Sequence, residues 1–264
     1  MEIGVQLWGI LKDQREGTMA ALRQLRATGV RDIEPCISTG VIPGFAHVIW
    51  PMEWYAAHAE EIRALGFRAA SCHIFADDLL RSVDDLKRFS RQYGIGWFVV
   101  KSPEDLSATS LRAAASVYAS AAGELASAGA SLLLHNEAED IRTRVDGKTA
   151  YETLLDLCQG RVGAQVDVGW VFAGGEDPKA FLLRNEARVR SLHLKDFANG
   201  DQGLVEVPPG SGLINTAYCM QFASERGCPQ IIDMDCFRQG AFEDLSTALQ
   251  ALRKLEDMNR EQGD

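Results

Sequence analysis

Short apolar runs, rich in β-branched and aromatic residues, recur along the chain at intervals of roughly 30 residues, which is the length of a strand, a loop and a crossover helix. Runs of this kind, separated by helical segments, predict the strands of a parallel sheet. Eight of them occur, at residues 3–7, 32–34, 69–73, 97–100, 131–135, 164–167, 189–194 and 230–233. The pattern therefore predicts eight repeating strand and helix units.

Helical periodicity fills the intervals between these runs. The clearest example lies near the end of the chain, where Phe242, Leu245, Leu249, Leu252 and Leu255 repeat at intervals of three and four residues. This spacing places all five side chains on one face of a helix. We expect that face to pack against the sheet.

Helix start signals agree with this alternation. Thr149 and Glu152 have the spacing of a capping box, and Asp177 precedes Pro178 as an N-cap residue precedes a proline at the first helical position. Eight units of even size favour closure into a (β/α)8 TIM barrel of the α/β class over an open doubly wound sheet. No G-x-G-x-x-G follows the first run, so the dinucleotide signature of the open sheet is missing. We expect residues 1–264 to form a single TIM-barrel domain.

Composition narrows the class of protein. The formal net charge is −10 and the sequence pI is about 5.1, whereas proteins that bind nucleic acid concentrate Lys and Arg on one face. The six cysteines form no C-x-x-C pair, so we expect reduced, buried thiols. No basic N-terminal region precedes an apolar run, and no segment has the length of a membrane span. These features predict a cytoplasmic protein that binds neither nucleic acid nor membrane.

Titratable side chains close seven of the eight predicted strands. In a TIM barrel the carboxyl ends of the strands form the active face, so these side chains should meet there. Imidazole and carboxylate groups together are the ligand set of Zn, Mn, Co or Mg. The residues are Glu34, His73, Lys101, the run His135-Asn136-Glu137, Asp167, the run His193-Leu194-Lys195-Asp196, and Asp233 with Asp235.

Each of these residues also has a structural interpretation when it is taken alone. Asp167 could cap the next helix, His73 could be a hydrogen-bonded core histidine, and Glu34 could pair with an arginine. Lys195 could form a salt bridge with Asp196. The convergence of so many titratable groups on one face favours a functional site.

Several of these segments resemble motifs of the sugar phosphate isomerase/epimerase family, the xylose-isomerase-like TIM barrels. Val189 to Asp196 is similar to the family's R-V-x-x-x-H-x-K-D strand, and the other segments follow in the family's order over nearly the whole chain. They are Gly4-Val5-Gln6-Leu7, His135-Asn136-Glu137, Asp167-Val168-Gly169-Trp170 with Gly175-Glu176-Asp177-Pro178, the segment from Pro209 to Asn215, and Ile232-Asp233-Met234-Asp235.

The resemblance implies one divalent cation, Mn, Co, Zn or Mg, held by four side chains from the fifth to the eighth strand. Asp167 and His193 match the family's Asp and His. Asp233 stands in place of the family's final Glu, and the fifth strand leaves either His135 or Glu137 as the remaining ligand. We take Glu137, Asp167, His193 and Asp233 as the predicted metal ligands.

The resemblance also implies an isomerase or epimerase that acts on a sugar, a sugar phosphate or a cyclitol through an enediolate. Glu137 and Asp233 are the candidate acid and base, and Lys195 is the candidate group that balances anionic charge. Predicted contacts to the carbohydrate come from Trp8, Glu34, His73, His135 and Trp170, with Phe75 as a further apolar wall. The long segment 47–54 is predicted to be a lid.

Two other functions share this scaffold. A dehydratase or lyase of a related polyol or keto acid would start from the same enediolate, and a binding protein could have lost the metal. A repair endonuclease of the same superfamily would need more histidines at the strand ends and a less acidic surface. The family also predicts a homodimer or a homotetramer. The turn Gly210-Ser211-Gly212 is either a plain tight turn or a phosphate-binding loop.

Overall fold

Parallel strands enclose the centre of the molecule in the structure, a computed structural model that describes residues 3–12, 14 and 17–263. We number the barrel strands β1 to β8 in chain order. They are β1 (Ile3–Gln6), β2 (Ile33–Glu34 and Cys36–Ser38, interrupted at Pro35), β3 (Ser71–His73), β4 (Trp97–Lys101), β5 (Ser131–His135), β6 (Gly163–Asp167), β7 (Val189–Leu194) and β8 (Gln230–Ile232).

Strand β2 closes the barrel, because its two halves pair with different neighbours. Its first half pairs with β1, with Gln6 opposite Glu34, and its second half pairs with β3, with Cys36 opposite His73. The carbonyl oxygen of Pro35 accepts a hydrogen bond of 2.9 Å from the His73 amide, so the interruption leaves the ladder continuous. Strand β8 lies between β1 and β7. The predicted (β/α)8 barrel is confirmed, and each predicted apolar run overlaps a barrel strand.

Helices follow the strands and carry the expected start signals. The Thr149 hydroxyl accepts a hydrogen bond of 3.0 Å from the Glu152 amide, and the Asp177 carboxylate accepts one of 2.7 Å from the Ala180 amide. The helices are Leu7–Lys12, Thr18–Ala27, Met52–Ala64, Ala76–Arg81, Val83–Tyr93, Ala108–Ala126, Ala138–Arg142, Ala150–Leu157, Val168–Ala173, Pro178–Arg184, Thr216–Glu225 and Ala241–Gly263, with a 3-10 turn at Glu186–Arg188.

The burial of the last helix and of most cysteines agrees with the expectations from the sequence. Leu245, Leu249 and Leu252 of the last helix are buried, as their periodicity predicts. Within the described part of the chain, no helix has both the length and the apolar composition that crossing a bilayer requires. Four cysteines are buried free thiols, but Cys228 is only half-buried and Cys236 is exposed, so the expectation of burial was wrong for these two.

The predicted lid is mostly part of the scaffold. Ile49–Pro51 forms a short strand parallel to the second half of β2, and the helix Met52–Ala64 begins directly after it. Trp50 is fully buried in the core. Segment 47–54 therefore cannot open freely, and the prediction of a lid there was wrong.

The carboxylate of Asp196 organises the chain that follows β7. A two-stranded hairpin, Asp196–Gly200 with Gly203–Val207, starts at this residue. Both carboxylate oxygens of Asp196 accept hydrogen bonds from backbone amides. The donors are Phe197 (2.9 Å), Gly210 (3.0 Å), Gly212 (2.9 Å) and Ile214 (3.1 Å). The turn at residues 210–214 is thus tied to the end of β7 by one buried side chain, and Asp196 forms no ion pair with Lys195.

Asp196→Asn should lower the free energy of unfolding by about 3 kcal/mol, because the amide group replaces an oxygen that accepts backbone hydrogen bonds and leaves buried N–H groups without a partner. Urea unfolding monitored by circular dichroism measures this loss. Asp201→Asn changes the same charge at an exposed position in the same hairpin and should leave the stability within about 0.5 kcal/mol of the wild type. Equal losses in the two variants would contradict the role given to Asp196.

Candidate active site

A cavity of about 840 Å³ opens at the carboxyl ends of the barrel strands. This is the face at which TIM barrels carry their chemistry, and the volume is that of a small-molecule site. Its lining includes Trp8, Val41, His73, Phe75, Lys101, His135, Glu137, Trp170, Asp233 and Asp235. Most of the side chains that the sequence singled out therefore face one space.

Four ligand-type side chains from four consecutive strands meet near the base of this cavity. Within the described residues, His135, Asp167, His193 and Asp233 offer ligand atoms that all lie within 4.8 Å of one another. Each of the four residues is at most 6% exposed. We call these residues the four-donor cluster. The sequence predicted three of its members as metal ligands, and the fourth is His135, the alternative that the fifth strand had left open.

Asp167 has one engaged oxygen and one free oxygen. Its Oδ1 accepts a hydrogen bond of 2.8 Å from the Trp170 amide and so caps the helix Val168–Ala173, as the structural interpretation predicts. Its Oδ2 is buried and has no hydrogen-bond partner. Burial raises the pKa of Asp167 well above its ordinary value. A buried carboxylate oxygen without a partner is costly, and a bound cation would compensate it.

His193 is held between carboxylates on both ring nitrogens. Its Nε2 lies 2.7 Å from Oε1 of Glu34, and its Nδ1 lies 3.2 Å from Oδ2 of Asp233 and 4.0 Å from Oδ2 of Asp167. Burial opposes a positive charge on the ring, but the carboxylates of Glu34 and Asp233 outweigh it and raise the pKa of His193 to about 10. The Glu34 contact orients the ring so that Nδ1 faces the other members of the four-donor cluster.

His135 presents a neutral ring to the same cluster. Its Nδ1 lies 3.2 Å from Oε1 of Gln165, which can only accept, so this nitrogen carries the proton. Burial, followed by the neighbouring imidazoles of His193 and His73, lowers the pKa of His135 well below its ordinary value. The lone pair of Nε2 is then available to a metal ion.

A hydrogen-bonded layer lies beneath the four-donor cluster. Oε2 of Glu34 accepts hydrogen bonds from the Ser71 hydroxyl (2.6 Å) and the Gln165 amide (2.9 Å), while Oε1 lies 3.0 Å from Nε2 of His73. Burial would raise the pKa of Glu34, but the neighbouring imidazoles of His193 and His73 hold it well below the ordinary value. Glu34 is 1% exposed and every oxygen is engaged. This placement argues against the predicted contact between Glu34 and substrate, because the carboxylate cannot reach the cavity.

Sequence reasoning missed Gln165 and Ser71 in this layer. Gln165 is fully buried and its amide links Glu34 to His73 and His135. Strand periodicity held the signal, since Gln165 precedes Asp167 by two residues and side chains two apart share a face. A polar residue on that face of an apolar strand indicates a partner inside the barrel.

Glu137 lies outside the four-donor cluster. Its side chain forms an ion pair with Lys101 and is 34% exposed at the cavity wall, and its residue begins the helix Ala138–Arg142. Among the described residues, it belongs neither to this cluster nor to the other group of closely spaced ligand atoms, His73, His135 and His193. The geometry therefore brings His135, and not Glu137, close to Asp167, His193 and Asp233.

Lys195 is almost fully buried beside the four-donor cluster. It is 1% exposed, and its Nζ lies 2.6 Å from Oδ2 of Asp235 and 3.5 Å from Oδ2 of Asp233. Glu206, which sequence reasoning missed, approaches Nζ to 3.6 Å from the hairpin after β7. Burial opposes the charge, but Asp233, Asp167 and Asp235 outweigh it and hold the pKa of Lys195 well above its ordinary value. The lysine is therefore a permanent positive charge beside Asp233.

Aromatic and imidazole rings form the walls. Trp8 stacks on Phe45 with a centroid distance of 6.2 Å, and Trp170 packs 5.4 Å from Phe197 and beneath the ammonium of Lys195. Phe75 is 41% exposed. His73 lies 5.1 Å from the ring of His135 and also lines the cavity. The predicted wall residues Trp8, Trp170 and Phe75 thus all face the cavity.

Comparison with known proteins places this site in context. No curated protein matches the chain in sequence. Solved structures match it over nearly their whole length. A sugar phosphate isomerase/epimerase from Parabacteroides distasonis has a TM-score of 0.73 at 17% identity, with 96% of this chain and 97% of the other covered. The probable 3-DHS dehydratase of Bacillus anthracis has a TM-score of 0.73 at 11% identity, with 96% and 99% covered.

A third structure is a xylose isomerase-like TIM barrel protein from Mycobacterium smegmatis in complex with magnesium, with a TM-score of 0.67 at 15% identity and coverage of 96% and 97%. At these identities the likeness shows the fold alone. The family model described as xylose isomerase-like TIM barrel matches residues 76–258, which is more than half of the chain. The chain therefore belongs to the xylose isomerase-like TIM barrel family.

Proposed function

We propose that the protein is a metal-dependent isomerase or epimerase that acts on a carbohydrate through an enediolate, with one divalent cation bound by His135, Asp167, His193 and Asp233. The observation that carries the proposal is the four-donor cluster, together with the buried Oδ2 of Asp167, which has no hydrogen-bond partner. Two imidazoles and two carboxylates form a ligand set that suits Zn, Mn or Co. Asp233 is one methylene shorter than the family's Glu, yet its carboxylate lies within the cluster.

The layer beneath the cluster supports the same assignment. A histidine that binds a metal usually donates its other ring N–H to a carboxylate, which fixes the tautomer and the ring orientation. Glu34 is the carboxylate that accepts from Nε2 of His193, and the side-chain oxygen of Gln165 accepts from Nδ1 of His135. We therefore assign Glu34 to the orientation of His193.

A divalent ion at this position would polarise the carbonyl and the adjacent hydroxyl of a sugar and make the proton between them more acidic. Glu137 and Asp233 reach the cavity from β5 and β8, so the two carboxylates face a bound substrate from different sides. In an epimerase one of them removes the proton and the other returns one, whereas in an isomerase one group moves the proton between neighbouring carbons. The ammonium of Lys195 stabilises the negative charge that develops on the substrate oxygen near Asp233.

Metal binding distinguishes the structural assignment from the one based on the sequence. We expect Mn²⁺, Co²⁺, Zn²⁺ or Mg²⁺ to raise the melting temperature of metal-free protein, since saturation to about 100 times Kd adds about 2.7 kcal/mol of stability. His135→Ala should abolish the shift and the binding heat in calorimetry, whereas Glu137→Gln should retain both. If His135→Ala kept the melting-temperature shift and the binding heat while Glu137→Gln lost them, Glu137 would be the ligand. No shift with any ion in the wild type would indicate a binding protein that has lost the metal.

Asp233 is tested by proton exchange. Asp233→Asn keeps the size of the side chain but removes its charge and basicity, so it should stop exchange of the substrate α-proton with solvent deuterium, followed by ¹H NMR on a sugar that the wild type turns over. Asp233→Glu restores the family's ligand and should retain metal and part of the exchange. Exchange at the wild-type rate in Asp233→Asn would transfer the role to Asp235 or His135. Product analysis in the same samples separates isomerisation and epimerisation from dehydration.

Lys195→Met should lower kcat by about 100-fold, because it removes a preorganised positive charge from a buried site. Elemental analysis and a thermal melt accompany the kinetics, so that loss of metal or of fold is recognised. An unchanged kcat in a folded, metal-loaded variant would reduce Lys195 to a structural partner of Asp235.

A further inference from the structure

Carboxylates outnumber lysine and arginine side chains in the lining of the cavity. Among the described lining residues two are basic, Arg81 and Lys101, and six are acidic, namely Asp77, Asp78, Glu104, Glu137, Asp233 and Asp235. Both basic side chains are engaged, since Arg81 lies 3.4 Å from Asp77 and Lys101 pairs with Glu137. Lys195 below them is held by Asp235 at 2.6 Å. A phosphate or carboxylate on the substrate would meet no uncommitted cation among these groups.

The helix N-termini at the mouth are also filled from within the protein. An N-terminus with free amides attracts an anion, and barrels commonly use this to bind phosphate. Here Asp78 accepts from the Phe75 amide (3.2 Å), Asp140 accepts from the Glu137 amide (2.7 Å), and Asp167 accepts from the Trp170 amide (2.8 Å). These three residues lie at the starts of the helices after β3, β5 and β6. Each of these starts already carries a carboxylate.

The glycine turn after β7 is closed to phosphate for the same reason. The sequence left open whether Gly210-Ser211-Gly212 binds a phosphate. In the structure the amides of Gly210 and Gly212 both donate to Oδ2 of Asp196, at 3.0 and 2.9 Å. Asp196 is fully buried and comes from the scaffold, so a ligand phosphate would have to displace a structural carboxylate. Residues 210–212 therefore form a tight turn whose amides already donate to a carboxylate of the protein.

Apolar surface completes the walls of the mouth. Trp8 and Trp170 line the cavity, and Val41 and Phe75 do so while remaining 69% and 41% exposed. The aromatic rings of Trp8, Trp170 and Phe75 can contact the C–H faces of a sugar. Apolar side chains at the mouth cause no desolvation of a charged group when the ligand is uncharged. The mouth thus combines apolar walls with carboxylates that exclude other anions.

We infer that the substrate is an uncharged polyhydroxy ketone or aldehyde, such as a free sugar or the keto form of a glycoside or cyclitol, that carries neither phosphate nor carboxylate. The inference rests on the proposed function, because it names the substrate class of the same site. It separates this chain from relatives that act on sugar phosphates and disfavours the keto acids of the dehydratase alternative.

Matched pairs of ligands test the inference on metal-loaded protein. D-Fructose is compared with D-fructose 6-phosphate, D-ribulose with D-ribulose 5-phosphate, and D-glucose with D-glucuronate. Deuterium exchange at the α-carbon is followed by ¹H NMR, and binding is followed by the melting temperature. We expect each anionic partner to bind or exchange about tenfold less well than its uncharged partner, since like charges face each other across the site.

The two readouts separate the inference from the proposed function. If a phosphate ester exchanges as fast as the free sugar or faster, the inference is overturned and the proposed function stands. If neither member of a pair exchanges while the free sugar alone raises the melting temperature, the inference stands and the proposed function fails. If the ester alone raises the melting temperature, the inference is overturned as well.

A pair of charge variants links the preference to the mouth. Asp77→Asn releases Arg81 from its ion pair. At low salt it should lower the ratio of binding or exchange between free sugar and phosphate ester by about threefold. Because salt screens exposed charges, 0.5 M NaCl should remove this effect. Asp84→Asn is the matched control, because it changes the net charge equally at an exposed site beside Lys87, outside the cavity lining. Equal narrowing in both variants would assign the preference to the overall charge of the protein and contradict the role of the mouth.

Discussion

The contact between Glu34 and His193 is the constraint on which the rest of the site depends. A carboxylate that is 1% exposed inside a barrel would be very costly alone, and here a charged imidazole at 2.7 Å balances it. Since Glu34 occupies Nε2, the other nitrogen of His193 turns towards Asp167 and Asp233. One buried ion pair thereby decides which atoms meet at the base of the cavity.

Internal carboxylates play a second part at the rim of the barrel. Asp78, Asp140, Asp167 and Asp196 each accept hydrogen bonds from backbone amides where a helix or a turn begins. These bonds hold the loops without disulfides or bound ligands, and they also occupy the positions at which a barrel would otherwise attract anions. Loop stability and ligand selectivity thus come from the same contacts.

The sequence predicted the barrel and much of the site, because both leave local signals. Apolar runs mark strands that are buried on both faces, and polar residues at strand ends, such as Asp167 and His193, stand out against them. The hairpin at residues 196–207, which carries Glu206, left no such signal. Its position depends on the hydrogen bonds that link the Asp196 carboxylate to the turn at residues 210–214. The choice between His135 and Glu137 depends on the direction of two neighbouring side chains. Gln165 and Lys101, from other strands, decide it through contacts that no local pattern contains.

The charge of the proposed ligand set also affects how readily the substrate would lose a proton. Two carboxylates and two imidazoles, the proposed ligand set, carry two negative charges once His193 has lost its Nδ1 proton, and this matches the charge of a divalent ion. The set that the family resemblance implies, three carboxylates and one histidine, exceeds that charge. With His135 in place of a carboxylate, less negative charge would surround the reacting oxygens. Lys195 adds a positive charge beside Asp233, and the carboxylates of Asp235 and Glu206 partly balance it. With this balance, the proposed site would favour the build-up of negative charge on an uncharged substrate during proton removal, and an anionic substrate would forfeit that advantage.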